Sequence, residues 1–125
     1  MEDRVVITLP LPDRKLSPNA RVHWATKARA VKFAKERAFY AAKAAGVGGQ
    51  SWPAATMKAT FFFKLSRNRD RDNLAAMLKS VIDGIVAAGL LENDCYLIPL
   101  PIEIVNKQKT ERVEMEFQRT ERMLK

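Results

Sequence analysis

Between Thr56 and Val86 the apolar periodicity changes from that of a strand to that of a helix across a polar break. Thr56 to Leu65 alternates in part and contains Phe61, Phe62 and Phe63, as a buried strand does. A polar cluster, Arg67 to Asp72, follows as a loop. Residues 73–88 then place Leu74, Met77, Leu78, Val81, Ile82, Ile85 and Val86 on one broad face. That spacing predicts a helix, with Gly89 as its C-cap. A strand leading into a helix with a wide apolar face calls for layered packing of helix on sheet.

The remaining segments fit the same plan. Val5 to Leu9 reads as a short strand ended by Pro10 and Pro12. Residues 10–22 read as a loop with a turn at Ser17-Pro18-Asn19. Residues 23–45 are rich in Ala, Lys and Arg and space Val31, Phe33, Ala34, Ala38, Phe39, Ala41 and Ala42 as a helix does. Gly46 to Gly49 should stop that helix. Residues 95–106 look extended, interrupted by Pro99 and Pro101. Glu111 to Gln118 alternates polar with apolar and reads as a half-exposed strand, after which the chain forms a short helix or frays. The order strand, helix, strand, helix, strand, strand predicts an α/β (α+β) domain over residues 1–125. It has two layers, with a small mixed β-sheet packed against two main helices.

Composition sets the outer bounds. At 125 residues and 47% hydrophobic, the chain has the size and apolar content of one domain with a real core. No apolar run approaches the roughly 18 residues that a membrane span needs, and the first residues lack a signal-peptide pattern. One cysteine, Cys95, allows no intrachain disulfide. The expectation is a cytoplasmic protein without a membrane partner or an organic cofactor. The net charge is +8, and it is unevenly spread: residues 1–69 carry a net +10 and residues 70–125 a net −2. A basic half suits a polyanion, and the other half supplies acids.

Those acids have a suggestive arrangement. Asp70 and Asp72 stand one residue apart, flanked by Arg67, Arg69 and Arg71, and Asp94 lies beyond the helix. In an extended chain, residues two apart project on one side, so Asp70 and Asp72 would face one ion together. Asp94 joins them if the chain after Gly89 folds back toward the start of the helix. Mg²⁺ takes a few carboxylates and binds substrate phosphate oxygens. There it lowers the pKa of a water and neutralises charge building on phosphate. Lys79 falls near the azimuth of Asp72 on an ideal helix and leans back toward it, where it would stabilise a developing oxyanion. Asp83 lies on nearly the same stripe, and Asn73 adjoins the acids as a further auxiliary. The arginines suit a phosphate backbone, and together these features suggest metal-assisted phosphodiester hydrolysis.

The same residues also fit a plainer account. Asp72 or Asn73 before a helix is a common N-cap. Alternating Arg and Asp often forms a solvated turn. Lys79 and Asp83 at i, i+4 make an ordinary surface pair, and Asp94 after Asn93 is an ordinary turn residue.

The run Arg69-Asp70-Arg71-Asp72-Asn73-Leu74, then Lys79-Ser80-Val81-Ile82-Asp83-Gly84, then Gly89-Leu90-Leu91-Glu92-Asn93-Asp94 resembles the RusA family of Holliday-junction resolvases, mostly phage or prophage endonucleases. Ser17-Pro18-Asn19 followed by Trp24 and basic residues is similar to that family's N-terminal region. The resemblance implies a small homodimer that uses Mg²⁺, with Mn²⁺ as a substitute, to nick four-way DNA junctions symmetrically in recombination and repair. It implies that Asp70, Asp72 and Asp94 are the metal-binding acids and Lys79 a catalytic lysine. Two positions depart from the pattern. The lysine comes later after the second aspartate than is usual, and the acidic pair of the last loop is Asn93-Asp94 here.

Other residues complete the expectations. The basic first helix, with Lys27, Arg29 and Lys32, has the best claim to DNA contact alongside Arg67, Arg69, Arg71 and Asn19; a solvated helix face is the alternative. His23 is the only histidine, which excludes multi-histidine metal sites. His23 and Trp24 should pack at the start of the first helix, with a DNA contact as the alternative; Trp52, a loop residue, should pack rather than stack on a base; and Phe61 to Phe63 should be core, or one of them at a dimer interface. A rival reading of the whole is a non-catalytic dimer that binds branched DNA. A third is a nuclease acting on RNA through the same acids.

Overall fold

The computed structural model describes residues 3–93 and 96–121. Strand β1 (Arg4–Leu9) is followed by a 3-10 turn (Arg14–Leu16), then helix α1 (Trp24–Ala44) and strand β2 (Ala54–Phe62). Helices α2 (Arg71–Met77) and α3 (Lys79–Ala87) come next, then strands β3 (Leu97–Pro99), β4 (Glu103–Val105) and β5 (Arg112–Thr120). The expected α+β architecture is present: a mixed five-stranded sheet with the helices packed on it. No helix among the described residues is long and apolar enough to cross a membrane.

The sheet order is β1-β5-β2-β3. β5 lies antiparallel between β1 and β2, while β3 and β4 both run parallel to β2. A strand has two edges and β5 occupies one of those of β2, so β3 and β4 share the other. They are two pieces of one edge strand interrupted around Leu100, Pro101 and Ile102. Proline donates nothing to a ladder, so Pro99 and Pro101 belong on such an edge and blunt it.

Strand periodicity decides which side chains enter the core. Ile7, Leu9, Met57, Ala59, Phe61, Val113, Met115 and Phe117 point to the helix side and are buried. The intervening residues form the open face, where Arg4 pairs with Glu116 and Lys58 with Glu103. The expectation that all three phenylalanines are core therefore needs correction. Phe61 and Phe63 are buried and stack on each other, but Phe62 is turned to the open face, where the Arg112 guanidinium lies 3.9 Å from its ring centroid. Three consecutive residues of a strand cannot share one face. Each fully buried large side chain contributes roughly 1.5–3 kcal/mol of transfer free energy.

The helix ends follow local rules. The Nδ1 of His23 accepts the Ala25 amide and caps α1. Trp24, however, is 76% exposed, so it does not pack into the core, and its ring lies 5.5 Å from that of His23. At the other end Gly46 takes φ +96°, its amide reaches the Lys43 carbonyl and the Val47 amide the Ala42 carbonyl. That is a Schellman stop, the role expected of the glycine-rich turn. Trp52 is buried, as expected.

The helix expected over residues 73–88 is two helices. Leu78 bends the chain: its amide bonds back to Ala75, three residues away, and α3 restarts at Lys79. The apolar face continues through the break because Leu74, Met77, Leu78, Val81 and Ile85 are all buried. Beyond it, Lys43 of α1 donates to the Ala88 carbonyl at 3.0 Å, capping α3 while its ammonium lies 5.4 Å from the Phe39 ring centroid. A cation at a helix C-terminus stabilises it by several tenths of a kcal/mol, and the hydrogen bond adds to that. Lys43→Met should therefore lower stability by about 1 kcal/mol, read as a lower denaturant midpoint with an unchanged slope. An unchanged midpoint would show that this contact contributes nothing.

Candidate active site

The polar loop after β2 leads into α2, and Asp70 is its N-cap. Its Oδ1 accepts the amides of Asp72 at 2.9 Å and Asn73 at 3.3 Å. The plainer account of this segment is thus partly right, but the cap is Asp70 rather than Asp72 or Asn73. Asp72 sits inside the first helical turn. The rule for extended chains consequently does not apply to the pair, and what relates the two acids is a helix N-terminus. Its unpaired amides and partial positive charge favour carboxylates there.

Neither acid is neutralised by its neighbours. Among the described residues, Oδ2 of Asp70 and the whole carboxylate of Asp72 accept no protein donor, and no ion pair joins either to Arg67, Arg69 or Arg71. Arg69 and Arg71 are engaged elsewhere. Arg69 donates to the Leu65 carbonyl, and its guanidinium carbon lies 3.5 Å from the Phe63 ring centroid. Arg71 donates to the Ile102 carbonyl at 3.2 Å. Burial lowers the pKa of Arg69 from its ordinary value, Arg67 lowers it further, and Glu111 raises it. An arginine so placed remains charged at neutral pH.

The Ser17-Pro18-Asn19 turn joins this site. The Ser17 carbonyl accepts the Ala20 amide, and its hydroxyl donates to Oδ1 of Asn73 at 2.8 Å. The same hydroxyl accepts the Asn19 amide, and Lys27 at the start of α1 reaches the Ser17 carbonyl at 3.4 Å. Asn19, Lys27 and Asn73 are in this way tied to the neighbourhood of Asp70. The other basic residues of α1 fan out. Arg29 donates to Thr26 of its own helix, Lys32 is exposed, and Lys35 lines a groove with Asp83. The basic residues of this helix, from Lys27 to Lys43, are spread along about 24 Å of its 21-residue length.

Lys79 opens α3 and its Nζ pairs with Asp83 at 2.9 Å, the i, i+4 contact of the plainer account. The azimuth argument linking Lys79 to Asp72 assumed one straight helix, and the bend at Leu78 removes that assumption. Asp94 and Cys95 lie outside the described residues. The described chain on either side of them runs back along β2. Leu90 and Leu91 run beside Trp52 at the start of β2, and β3 and β4 then follow β2 until Ile102 meets Arg71 of α2. Among the described residues, no group of three or more His, Cys, Asp or Glu forms a metal-holding cluster.

A cleft of about 610 Å³ opens beside Asp70. Phe61, Phe63, Leu74 and Met77 form its apolar lining, and Arg14, Arg67, Arg69, Asp70 and Glu111 are its charged groups. Arg14 and Glu111 escaped the sequence reading because they belong to the 3-10 turn and to the residue just before β5, far from the acidic motif in the chain. Only the sheet order brings them here, and no local pattern marks either.

No family model matches the chain. It is similar, at 40% identity over 85 residues, to an uncharacterized protein of Xylella fastidiosa strain Temecula1. The match takes in 66% of this chain and 56% of the other protein, so the chain spans about half the length of the curated relative it matches.

Proposed function

We propose that this chain is a Mg²⁺-dependent, structure-selective endonuclease of the RusA type, acting as a homodimer on four-way DNA junctions. One observation carries the reading: at one helix N-terminus Oδ2 of Asp70 and both carboxylate oxygens of Asp72 accept no donor among the described residues, although three arginines lie within three residues of Asp70. A structural motif would pair those charges. A site awaiting a cation would leave them open. The donor chemistry fits a hard divalent ion, which takes oxygen ligands. Oδ2 of Asp70 and the carboxylate of Asp72 would hold it, with Asp94 as the third acid that the resemblance implies. When bound, such an ion lowers the pKa of a water and offsets charge on the phosphate.

The residues of the chain supply the rest. The N-cap bonds fix the Asp70 carboxylate in one orientation, so little entropy is lost when it takes a ligand. Ser17 holds Asn73 and with it the first turn of α2. Arg67, Arg69 and Arg71 add positive charge for the phosphates on either side of the cut. Lys79, held by Asp83, adds positive charge farther along the same helical hairpin. A four-way junction has near two-fold symmetry, and a C₂ dimer presents one site to each of two opposed strands.

The deciding experiment is cleavage of a labelled synthetic four-way junction with and without Mg²⁺, beside a linear duplex of the same sequence. Paired symmetric nicks in the junction alone, and with Mg²⁺ alone, are expected. Tight, salt-dependent binding without nicks across a set of junction sequences would instead favour the non-catalytic DNA-binding dimer.

A further inference from the structure

We infer that the cleft beside Asp70 takes one unstacked nucleobase of the bound DNA, and that Glu111 and Arg69 read its edge. The inference rests on the nuclease reading for the presence of DNA at Asp70, but its chemistry is that of a separate subsite.

The walls argue for a base rather than a phosphate. A volume of about 610 Å³ is within the range of roughly 300–1,000 Å³ typical of small-molecule sites and far more than one anion fills. Leu65, exposed over the buried Phe61, Phe63, Leu74 and Met77, presents apolar surface from which a phosphate gains nothing. Glu111 stands on the wall as a carboxylate, and it would repel a phosphate at close range. A nucleobase has the opposite needs: flat apolar surface for its faces and mixed donors and acceptors for its edge.

The cleft offers both. The Arg69 guanidinium covers the buried Phe63, and an arginine plane is a surface on which an unpaired base rests. The Nε of Arg69 is buried and has no partner among the described residues, so a donor is left unspent next to the cavity. An acceptor on an incoming ligand would relieve the cost of that buried N–H. On the acceptor side, one oxygen of Glu111 takes the Lys64 amide at 3.0 Å and the other accepts nothing among the described residues. A carboxylate beside an arginine suits a base that shows an exocyclic amine next to an acceptor. Adenine, cytosine and guanine each have that amine and thymine has none, so thymine is the base the cleft should reject. Because Asp70 is part of the same wall, the base taken up belongs to a nucleotide close to the scissile phosphate. Unpairing costs least at a branch point, and a subsite of this kind would therefore favour branched over linear DNA.

The test is equilibrium binding rather than turnover. The full-length Asp72→Asn protein is titrated, without Mg²⁺, with four-way junctions in which a single abasic site is moved one nucleotide at a time through the branch point. One position should stand out, with affinity lowered at least about tenfold when its base is missing. Restoring thymine there should recover less binding than restoring cytosine. Glu111→Gln, a conservative change at an exposed residue, should erase that preference. Leu65→Trp fills the cleft from a residue that is 59% exposed, so folding is spared, and it should make binding insensitive to the abasic site. Affinity that is uniform along the abasic series, or a pattern untouched by both substitutions, would overturn the inference, as would absence of junction binding. Failure of the wild type to nick DNA in Mg²⁺ counts against the nuclease reading alone, since nothing in the binding series requires cleavage.

Discussion

Asp70→Asn abolishes Mg²⁺-dependent cleavage while the protein stays folded: this result is expected because the two oxygens of Asp70 do separate jobs. Oδ1 caps α2 through the Asp72 and Asn73 amides, and Oδ2 is open among the described residues. Asparagine caps a helix about as well as aspartate, whereas alanine costs about 1 kcal/mol. The asparagine variant should therefore melt close to wild type, with a loss of up to about 1 kcal/mol from the missing charge at the helix N-terminus. Its cleavage rate should fall at least about a hundredfold, equivalent to about 2.7 kcal/mol of transition-state stabilisation. Asp70→Ala should lose activity and stability together. Asp72→Asn, which removes no cap, should lose activity with junction binding kept or strengthened, because one negative charge near phosphate is gone. Wild-type rates in Asp70→Asn or Asp72→Asn, measured on the same labelled junction, would remove these acids from the chemistry.

Gly84→Ala should be among the most destabilising single-methyl additions available to this chain. Gly84 lies where α3 crosses α1, and a Cβ built there would stand 2.2 Å from the Lys35 carbonyl oxygen and 3.0 Å from Cβ of Ala38. The oxygen is backbone of a packed helix and cannot rotate aside, so the two helices must separate. In an open helix the same change would be favourable by roughly 1 kcal/mol. Here overpacking should outweigh that gain and leave a net loss of roughly 2–3 kcal/mol. For a domain of this size that corresponds to a melting point lower by about 10 °C. Gly84→Val should lose more. A melting curve unchanged by Gly84→Ala would mean that the helices can part at this crossing at no cost.

These two residues show how differently parts of the molecule were legible. Asp70 stood out in sequence because two acids beside three arginines before a helical pattern form a local signal. Gly84 carried no such signal. Its requirement comes from Lys35 in another helix, and nothing within a few residues of it announces that contact.

The strands and helices were readable where one short-range rule governs them. The twofold alternation in Val113, Met115 and Phe117 places these residues on the buried face, and the glycines after Ala45 end α1 because a left-handed residue is needed there. The break at Leu78 was missed since the apolar pattern runs through it unaltered. Periodicity reports which face is buried and is blind to a one-residue change in backbone hydrogen bonding. Trp24 differs from expectation for a related reason: aromatic character favours burial on average, but whether distant chain covers the first turn of α1 is a tertiary matter.

From the sequence alone came the element types, the two-layer class, the basic and acidic halves, and the acidic motif with its flanking arginines. These depend on the composition and spacing of neighbouring residues, which are local properties. The tertiary structure alone decided that β5 enters between β1 and β2, carrying Glu111 to the cleft, and that Ser17 bonds Asn73 across 56 residues. It also decided that Arg69 and Arg71 turn toward backbone carbonyls and an aromatic ring rather than toward Asp70 and Asp72. Those outcomes depend on strand pairing and on contacts between distant segments. Their free energies are shared over many residues at once, so no short stretch of sequence displays them.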